Sequence, residues 1–127
     1  MPAQNPEELD RLFSDAMNAG DLDALVALYE PQATLTPQPG QVVTGTRAIR
    51  EALSAFVATK PTLTLAVKTL AQTGDIALTS ARWELAGTGP DGTPITMSSH
   101  SAEVSRRQPD GTWLFVIDAP WGLEWGE

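Results

Sequence analysis

The sequence contains no cysteine, which excludes disulfides, thiolate nucleophiles and cysteine-ligated metals. It contains a single histidine, His100, and no group of ligands with the spacing of a metal site, so we expect no metal. Only 8 basic residues stand against 16 acidic ones, which gives a formal net charge of −8. Because no basic stripe is available to contact phosphates, we expect neither nucleic acid nor a membrane surface as a partner.

Several catalytic and targeting motifs are also missing. There is no G-x-S-x-G motif, and the glycines at 87–90 lack the strand-then-helix context of a dinucleotide site, so we expect no cofactor. No apolar run approaches the ~20 residues of a membrane span. The first ten residues, MPAQNPEELD, have neither the basic nor the apolar region of a signal peptide. A cytoplasmic location is the resulting expectation.

The length of 127 residues and a hydrophobic share of 42% predict one domain, 1–127, with a core of its own. Three helices are predicted in its first half from capping residues and apolar stripes of period 3.6. The first lies between Asn5 and Gly20, the second spans Asp21–Glu30, and the third spans Arg47–Thr59 with Thr46 as its cap. Ala33–Thr36 is predicted to be a short strand.

Acidic residues crowd the first thirty positions. The simplest interpretation is a solvated helix face, because exposed carboxylates on a helix need no partner. This prediction covers Glu7, Glu8, Asp10, Asp15, Asp21, Asp23 and Glu30.

From Thr62 onward the apolar period changes from 3.6 to 2, which predicts two strands and then a hairpin over Thr96–Pro120. The second arm of the hairpin, Trp113–Ile117, is apolar at both parities, so both of its faces should be covered. Helices followed by a four-stranded antiparallel meander predict an α+β domain with the helices on one sheet face. A second copy of the chain would cover the other face, as a homodimer with a two-fold axis.

The hairpin carries the best candidates for chemistry, Glu103 and Asp118. If residues 108–111 form the loop, Ser101 faces Asp118, and Glu103 lies diagonally from Asp118 on the same sheet face. A three-residue loop with a glycine bulge would shift the register by one and separate the two acids. Two carboxyl groups in one apolar recess would raise one pKa, which is how a general acid or base is made.

The remaining polar and aromatic residues have simpler interpretations. His100 lies three residues from Glu103, so on a regular strand it points to the opposite face, towards solvent or a partner. The alternative is that it serves as an acid or base in a pocket. The tail Trp121–Trp125 exposes two tryptophans unless it folds back over a pocket mouth or a partner chain. Aromatic residues and methionines at strand and helix spacing should form core or pocket wall, namely Phe13, Met17, Phe56, Trp83 and Met97.

Three phrases carry a resemblance to a known family: GDLDALVALYEPQATLT (20–36), GTRAIREAL (45–53) and RRQPDGTWLFVIDAP (106–120). Together with the element order, they resemble the nuclear transport factor 2-like superfamily, also called SnoaL-like or ketosteroid-isomerase-like, and its SgcJ/EcaC-type bacterial members. The resemblance implies a cystatin-like cone in which three N-terminal helices pack on a curved four-stranded antiparallel sheet with a short extra strand. It also implies a pocket inside the cone and a dimer through the outer sheet face.

The resemblance does not extend to steroid isomerisation. The tyrosine of ketosteroid isomerases falls on Phe13 and their aspartate base on Thr36-Pro37, so only the third acidic position, Glu103, is kept. The same matching puts Asp118 on the pocket side. The predicted pocket comprises Phe13, Met17, Thr36, Phe56, Trp83, Met97, Ser99, Ser101 and Val116.

Three functional hypotheses follow. The first is a dimeric, cofactor-independent enzyme of isomerase, hydratase or cyclase type, in which Asp118 and Glu103 perform acid–base chemistry on a small apolar or cyclic molecule. The second is a module that binds such a ligand without converting it. The third is a dimerisation domain whose cavity is filled by its own side chains.

Overall fold

The computed structural model describes residues 2–124 and shows three helices and seven strands within them. No helix in this range is both long and apolar enough to cross a membrane. In chain order the elements are α1 Pro6–Ala19, α2 Leu22–Val26, β1 Tyr29–Gln38, β2 Gln41–Thr44, α3 Thr46–Val57, β3 Thr62–Thr73, β4 Ile76–Thr88, β5 Pro94–His100, β6 Ala102–Arg107 and β7 Trp113–Ala119.

The predicted ends of α1 are confirmed. The Asn5 side chain accepts a hydrogen bond from the backbone N–H of Glu8 at 3.0 Å, and Pro6 occupies the first helical position. Gly20 ends the helix in the left-handed region at φ 69°, where glycine is free of the strain that a Cβ brings. The local sequence therefore determines where this helix begins and ends.

The second and third helices differ from their predicted bounds. Helix α2 ends at Val26, and Tyr29 already belongs to β1. Pro31 disfavours a helical conformation of the residue before it, and the extended chain pairs with β7 instead. Thr46 is the first residue of α3 and not its cap, because Gly45 occupies the cap position at φ 94°.

The sheet has the strand order β2-β1-β7-β6-β4-β3, and β5 pairs with β4 off this path. The β1–β7 pair is parallel, and the other pairs are antiparallel. Helix α1 packs against β3 and β7, and α3 packs against β1. The predicted α+β cone is thereby confirmed, although β1 and β2 make the sheet wider than the expected four strands.

Ser101 interrupts what was predicted to be one strand. Strands β5 and β6 both pair with β4 in the same register, and Ser101 lies between them. Its Oγ atom accepts a hydrogen bond from the backbone N–H of Ala81 at 2.8 Å, which replaces a ladder bond between backbones. The interruption divides the outer, β5 part of this strand from the inner, β6 part next to β7.

The hairpin register differs from both predicted alternatives. Arg107 pairs with Trp113, so the loop contains residues 108–112 and is one residue longer than expected. A second irregularity then leaves Val116 unpaired, because Ser105 pairs with Phe115 whereas the next residue, Val104, pairs with Ile117. The longer loop and the bulge each shift the register by one residue relative to the predicted four-residue loop. Beyond the bulge the total shift is two residues, so each paired side chain remains on its predicted face of the sheet.

Candidate functional site

The sheet and helices form a partly open cavity of about 70 Å³ whose wall is predominantly apolar. Helix α1 supplies one side of the wall, α3 supplies a second, and the inner face of the sheet supplies the rest. Five residues predicted to form the pocket lie in this wall: Phe13, Met17, Phe56, Trp83 and Ser101.

Four other predicted pocket residues do not line this cavity. Thr36 follows Leu35, which does line it, so the alternation of the strand turns Thr36 away. Val116 is the unpaired residue of the bulge, which reverses its expected direction. On β5, Met97 packs against the edge of the core, and Ser99 donates a hydrogen bond to Glu124 at 2.9 Å.

Asp118 lies inside the cavity at 5% exposure. The Tyr29 hydroxyl donates a hydrogen bond of 2.5 Å to its Oδ2 atom. Burial and, to a smaller extent, the negative charge of Glu103 raise the pKa of Asp118, the Tyr29 hydrogen bond lowers it, and the resulting pKa is about 7. Asp118 can therefore exchange a proton near neutral pH.

Glu103 pairs directly with Asp118 across the β6–β7 ladder and is 4% exposed. The Thr79 hydroxyl donates to its Oε1 atom at 2.8 Å. Burial raises the pKa of Glu103, and hydrogen bonds from Asp10, Ser101 and Thr79 lower it again. These donors favour the charged form of Glu103, and burial still leaves its pKa above the usual value.

A third acid, Asp10, lies in the same cavity, which corrects the prediction that it belongs to a solvated helix face. It projects from α1 and is only 3% exposed. Burial, and after it the nearby charges of Glu103 and Asp118, raise its pKa to about 10. Asp10 is therefore a neutral carboxylic acid at pH 7, hydrogen-bonded to Glu103.

The sequence carried a signal for Asp10 that a count of acidic residues concealed. Asp10 lies three positions before Phe13 and seven before Met17, so all three share one face of α1. The sequence gave a weaker signal that Tyr29 belongs to the site, because the helical pattern over Asp21–Glu30 includes it. Its exclusion from the helix follows only from Pro31 and from the pairing of β1 with β7.

The start of the tail folds back over the cavity. The Trp83 indole N–H donates to the carbonyl of Pro120 at 2.7 Å, and the Trp121 indole N–H donates to the carbonyl of Pro37 at 2.9 Å. The two indole rings meet edge to face with centroids 5.2 Å apart, and Trp121 lines the cavity. Trp125, the other tryptophan of the tail, lies outside the described residues.

His100 lies away from this cluster. It is exposed, pairs with Arg82 across β4 and β5, and does not line the cavity. Within residues 2–124, no group of three or more histidine, aspartate or glutamate side chains has the arrangement of a metal site. The ionisable groups in the cavity are thus Asp10, Glu103 and Asp118, with Tyr29 behind Asp118.

Comparisons with known proteins agree with this architecture. The family model of the SnoaL-like domain matches residues 9–115. No curated protein has a significantly similar sequence. The match does not distinguish the SgcJ/EcaC-type members from the rest of the family.

Solved structures share the fold at low sequence identity. A proposed dehydratase of the NTF2-like family from Streptomyces avermitilis has a TM-score of 0.74 and 21% identity over 88% of this chain and 89% of that chain. A ketosteroid isomerase-like protein from Erwinia carotovora atroseptica has a TM-score of 0.75 and 18% identity over 88% of each chain. SalBIII, an epoxide hydrolase/cyclase-like enzyme of pyran ring formation in the polyether salinomycin, has a TM-score of 0.68 and 22% identity over 92% and 90%. Identities this low establish the fold alone.

Proposed function

This chain belongs to the SnoaL-like family, and from that premise we propose that it is a cofactor-independent enzyme that performs acid–base chemistry on a small, mostly apolar ligand. One observation carries the proposal: three carboxyl groups are buried together in an otherwise apolar cavity. Burial of one acid next to others is costly, and a cluster of this kind separates their pKa values so that an acid and a base coexist at one pH.

Asp118 is the proposed general base. A carboxylate whose pKa lies at about 7 is a stronger base than an ordinary aspartate, and it is still ionised in half of the molecules at neutral pH. The Tyr29 hydrogen bond holds its carboxylate in place on one side, which leaves the other oxygen for the ligand. Glu103, directly opposite, supplies the charge that keeps Asp118 basic.

This arrangement suits reactions in which a proton leaves carbon or water and another proton is returned to the ligand. In an isomerisation, Asp118 would remove a proton next to a carbonyl group and return it two carbons further along a conjugated system. In a dehydration, it would remove the same proton while a carboxylic acid of the cluster protonates the leaving hydroxyl. Proteins of the same fold include a ketosteroid isomerase-like protein and a proposed dehydratase.

Three compact compounds test the proposal: pent-4-en-2-one for isomerisation, 4-hydroxybutan-2-one for dehydration and 1,2-epoxybutane for hydration. We expect turnover of at least one of them, with kcat/KM rising with pH through a midpoint near 7, the pKa of Asp118. We expect Asp118→Asn to reduce kcat by at least about 100-fold. Asp15→Asn, on the exposed side of α1, is the matched control and should leave turnover unchanged. Unchanged turnover in Asp118→Asn would remove the assignment.

A second candidate function is binding without conversion. The partial cover that Trp121 forms over the cavity favours it, because a partly covered apolar cavity retains a ligand whether or not chemistry follows. A binding module would show saturable binding of the three compounds, no product, and a change in affinity alone in Asp118→Asn.

We also propose that the protein is a homodimer through its outer sheet face. Leu78, Val104 and Ile117 are direct neighbours across β4, β6 and β7 on that face, and Leu78 and Ile117 are 38% and 44% exposed. A contiguous exposed apolar row of this kind is typical of an interface. Light scattering should give twice the chain mass of 13.5 kDa, and Ile117→Lys should give the mass of one chain. A monomeric wild type would contradict the dimer and leave the acid–base proposal intact.

A further inference from the structure

The segment Pro120–Glu124 covers part of the cavity without belonging to the sheet. Strand β7 ends at Ala119, and the chain that follows it forms turns. Within residues 2–124, three hydrogen bonds made by side chains join this segment to the rest of the protein: Trp83 to Pro120, Trp121 to Pro37 and Ser99 to Glu124. The segment can therefore move away while the hydrogen bonds between the strands stay intact.

Trp121 is the part of this segment that faces the cavity. Its ring lines the cavity and meets the ring of Trp83, another residue of the wall, edge to face at 5.2 Å. Its indole N–H reaches the carbonyl of Pro37, so the side chain extends from the end of β7 to β1. Leu123 is 92% exposed, so nothing in the described chain packs over the segment at that point. Trp121 therefore forms a single layer between the cavity and solvent.

Gly122 allows the segment to lie this close to β5. Its φ is 59°, in the left-handed region, and a Cβ atom at this position would overlap the backbone carbonyl oxygen of His100. Because a backbone oxygen cannot rotate away, a side chain at position 122 must push the segment off β5. Gly74, in the turn between β3 and β4, has a φ of 55° and open space where its Cβ would lie. The two glycines thus share a backbone conformation and differ in what a side chain would meet.

We propose that Pro120–Glu124 is a displaceable cover and that Trp121 sets the largest ligand that the cavity accepts with the cover in place. The cavity then measures about 70 Å³, whereas a cavity that holds one benzene molecule measures about 150 Å³. A ligand with fused six-membered rings therefore binds only after Trp121 has moved, and a smaller ligand binds beneath it. The inference rests on the proposed function in one respect, namely that this cavity is the ligand site. It requires no turnover.

Exchange of indole N–H groups with D₂O, followed by NMR, measures the opening of the cover. The N–H groups of Trp83 and Trp121 donate to carbonyls of Pro120 and Pro37, so both are released when the segment leaves. We expect both to exchange faster than the backbone amides that pair β6 with β7, because opening leaves the sheet intact. Gly122→Ala should accelerate both indoles by at least about tenfold, and Gly74→Ala should leave them as in wild type.

Cyclobutanone and 2-tetralone form a matched pair of ligands, because both carry one ketone and only 2-tetralone has fused six-membered rings. If 2-tetralone binds only the open form, its Kd is the intrinsic value divided by the open fraction. Gly122→Ala should therefore lower this Kd by the factor that accelerates indole exchange, at least about tenfold, and change the Kd of cyclobutanone by less than about twofold. Gly74→Ala should bind both ketones as wild type does. Titration of ¹⁵N-labelled protein measures each Kd.

Several outcomes would overturn the cover: equal changes for the two ketones in Gly122→Ala, the same changes in Gly74→Ala, indole exchange that Gly122→Ala does not accelerate, or no binding of either ketone to wild type and Gly122→Ala. Trp121→Ala removes the ring itself and should show the same selective gain for 2-tetralone, so a failure of Gly122→Ala to fold leaves the proposal falsifiable. Selective gain without turnover of any test compound would contradict the enzyme alone. Turnover that depends on Asp118, without the selective gain, would contradict the cover alone.

Discussion

Around Glu103 and Asp118, the β6–β7 hairpin has charged side chains inside and apolar ones outside, which is the reverse of the usual arrangement in a soluble sheet. The inner face carries Glu103 and Asp118, which are 4% and 5% exposed. The outer face carries Val104 and Ile117, and Ile117 is 44% exposed. In most antiparallel sheets the apolar side chains lie inside and the charged ones face water.

The buried acids and the exposed apolar residues do not stabilise the single folded chain, so their positions point to roles in chemistry and in association. Phe115 stabilises the fold, since it is fully buried and contacts the rings of Phe13 and Tyr29 at centroid distances of 6.4 and 5.2 Å. Buried acids do the reverse, because each must be neutralised or hydrogen-bonded at a free-energy cost. Their cost argues for chemistry, and the exposed apolar row argues for a partner.

The largest expected effect is on the free energy of unfolding, when an apolar residue of the inner face is replaced and compared with one of the outer face. Phe115→Ala should lower the free energy of unfolding by about 4 kcal/mol, because a large buried ring leaves a cavity. Ile117→Ala should cost less than about 1 kcal/mol at protein concentrations where the chain is monomeric, because its side chain is already partly in water. Urea denaturation of both variants measures the difference. Equal losses would show that the outer face is covered within a single chain.

The next effect concerns the cost of burying Asp10. Its folded pKa of about 10 lies above the unfolded value of 3.8, so the native state holds a proton that the unfolded chain releases above about pH 4. Stability is therefore lost as pH rises from about 4 towards 10. Asp10→Asn removes this loss and should be more stable than wild type at pH 8, by on the order of 3 kcal/mol, but not at pH 4. Denaturation at the two pH values measures it, and a difference that does not change with pH would contradict a buried neutral Asp10.

A smaller effect is expected at Tyr29. Tyr29→Phe removes the hydroxyl that donates to Asp118, so the carboxylate loses its partner and the pKa of Asp118 should rise above about 7. The stability loss should be about 2 kcal/mol at pH 8, where Asp118 is ionised, and smaller at pH 5. Carboxyl ¹³C NMR titration reports the pKa directly. A midpoint that stays in place would show that the phenol does not stabilise the carboxylate.

The smallest effect is electrostatic. Glu103→Gln removes the neighbouring charge that raises the pKa of Asp118, so the midpoint of Asp118 should move to lower pH. The amide keeps the shape of the side chain, and the fold should be preserved. The same carboxyl titration measures the shift, and a midpoint that stayed in place would show that Glu103 carries no charge at that pH.

Parts of this structure follow from local chemistry and were predictable. The caps of α1 at Asn5 and Gly20 depend on residues next to each other in the chain. The change from a period of 3.6 to one of 2 at Thr62 marks the passage from helices to sheet, and β3 begins at that residue. The α+β class follows from this order of elements.

The site required information that no short segment contains. Glu103 and Asp118 lie on one face, as expected. The register that places them there differs from the expected one, because a longer loop and a bulge at Val116 each shift the strand pairing by one residue. A bulge depends on what the neighbouring strands demand, and β7 must pair with β1 and β6 at once. Asp10 was overlooked because its burial depends on the sheet that closes over α1.

The sequence by itself determined the three helices, the passage from helices to sheet and the family, since capping, turn chemistry and hydrophobic period act over a few residues. Only the tertiary structure decided that Asp10, Tyr29, Glu103 and Asp118 meet, and that two of these acids hold protons near neutral pH. The physical reason is that a pKa depends on desolvation and on neighbouring charges. For these residues, both arise from chain segments up to 108 positions apart, which approach each other only after the sheet has closed against α1.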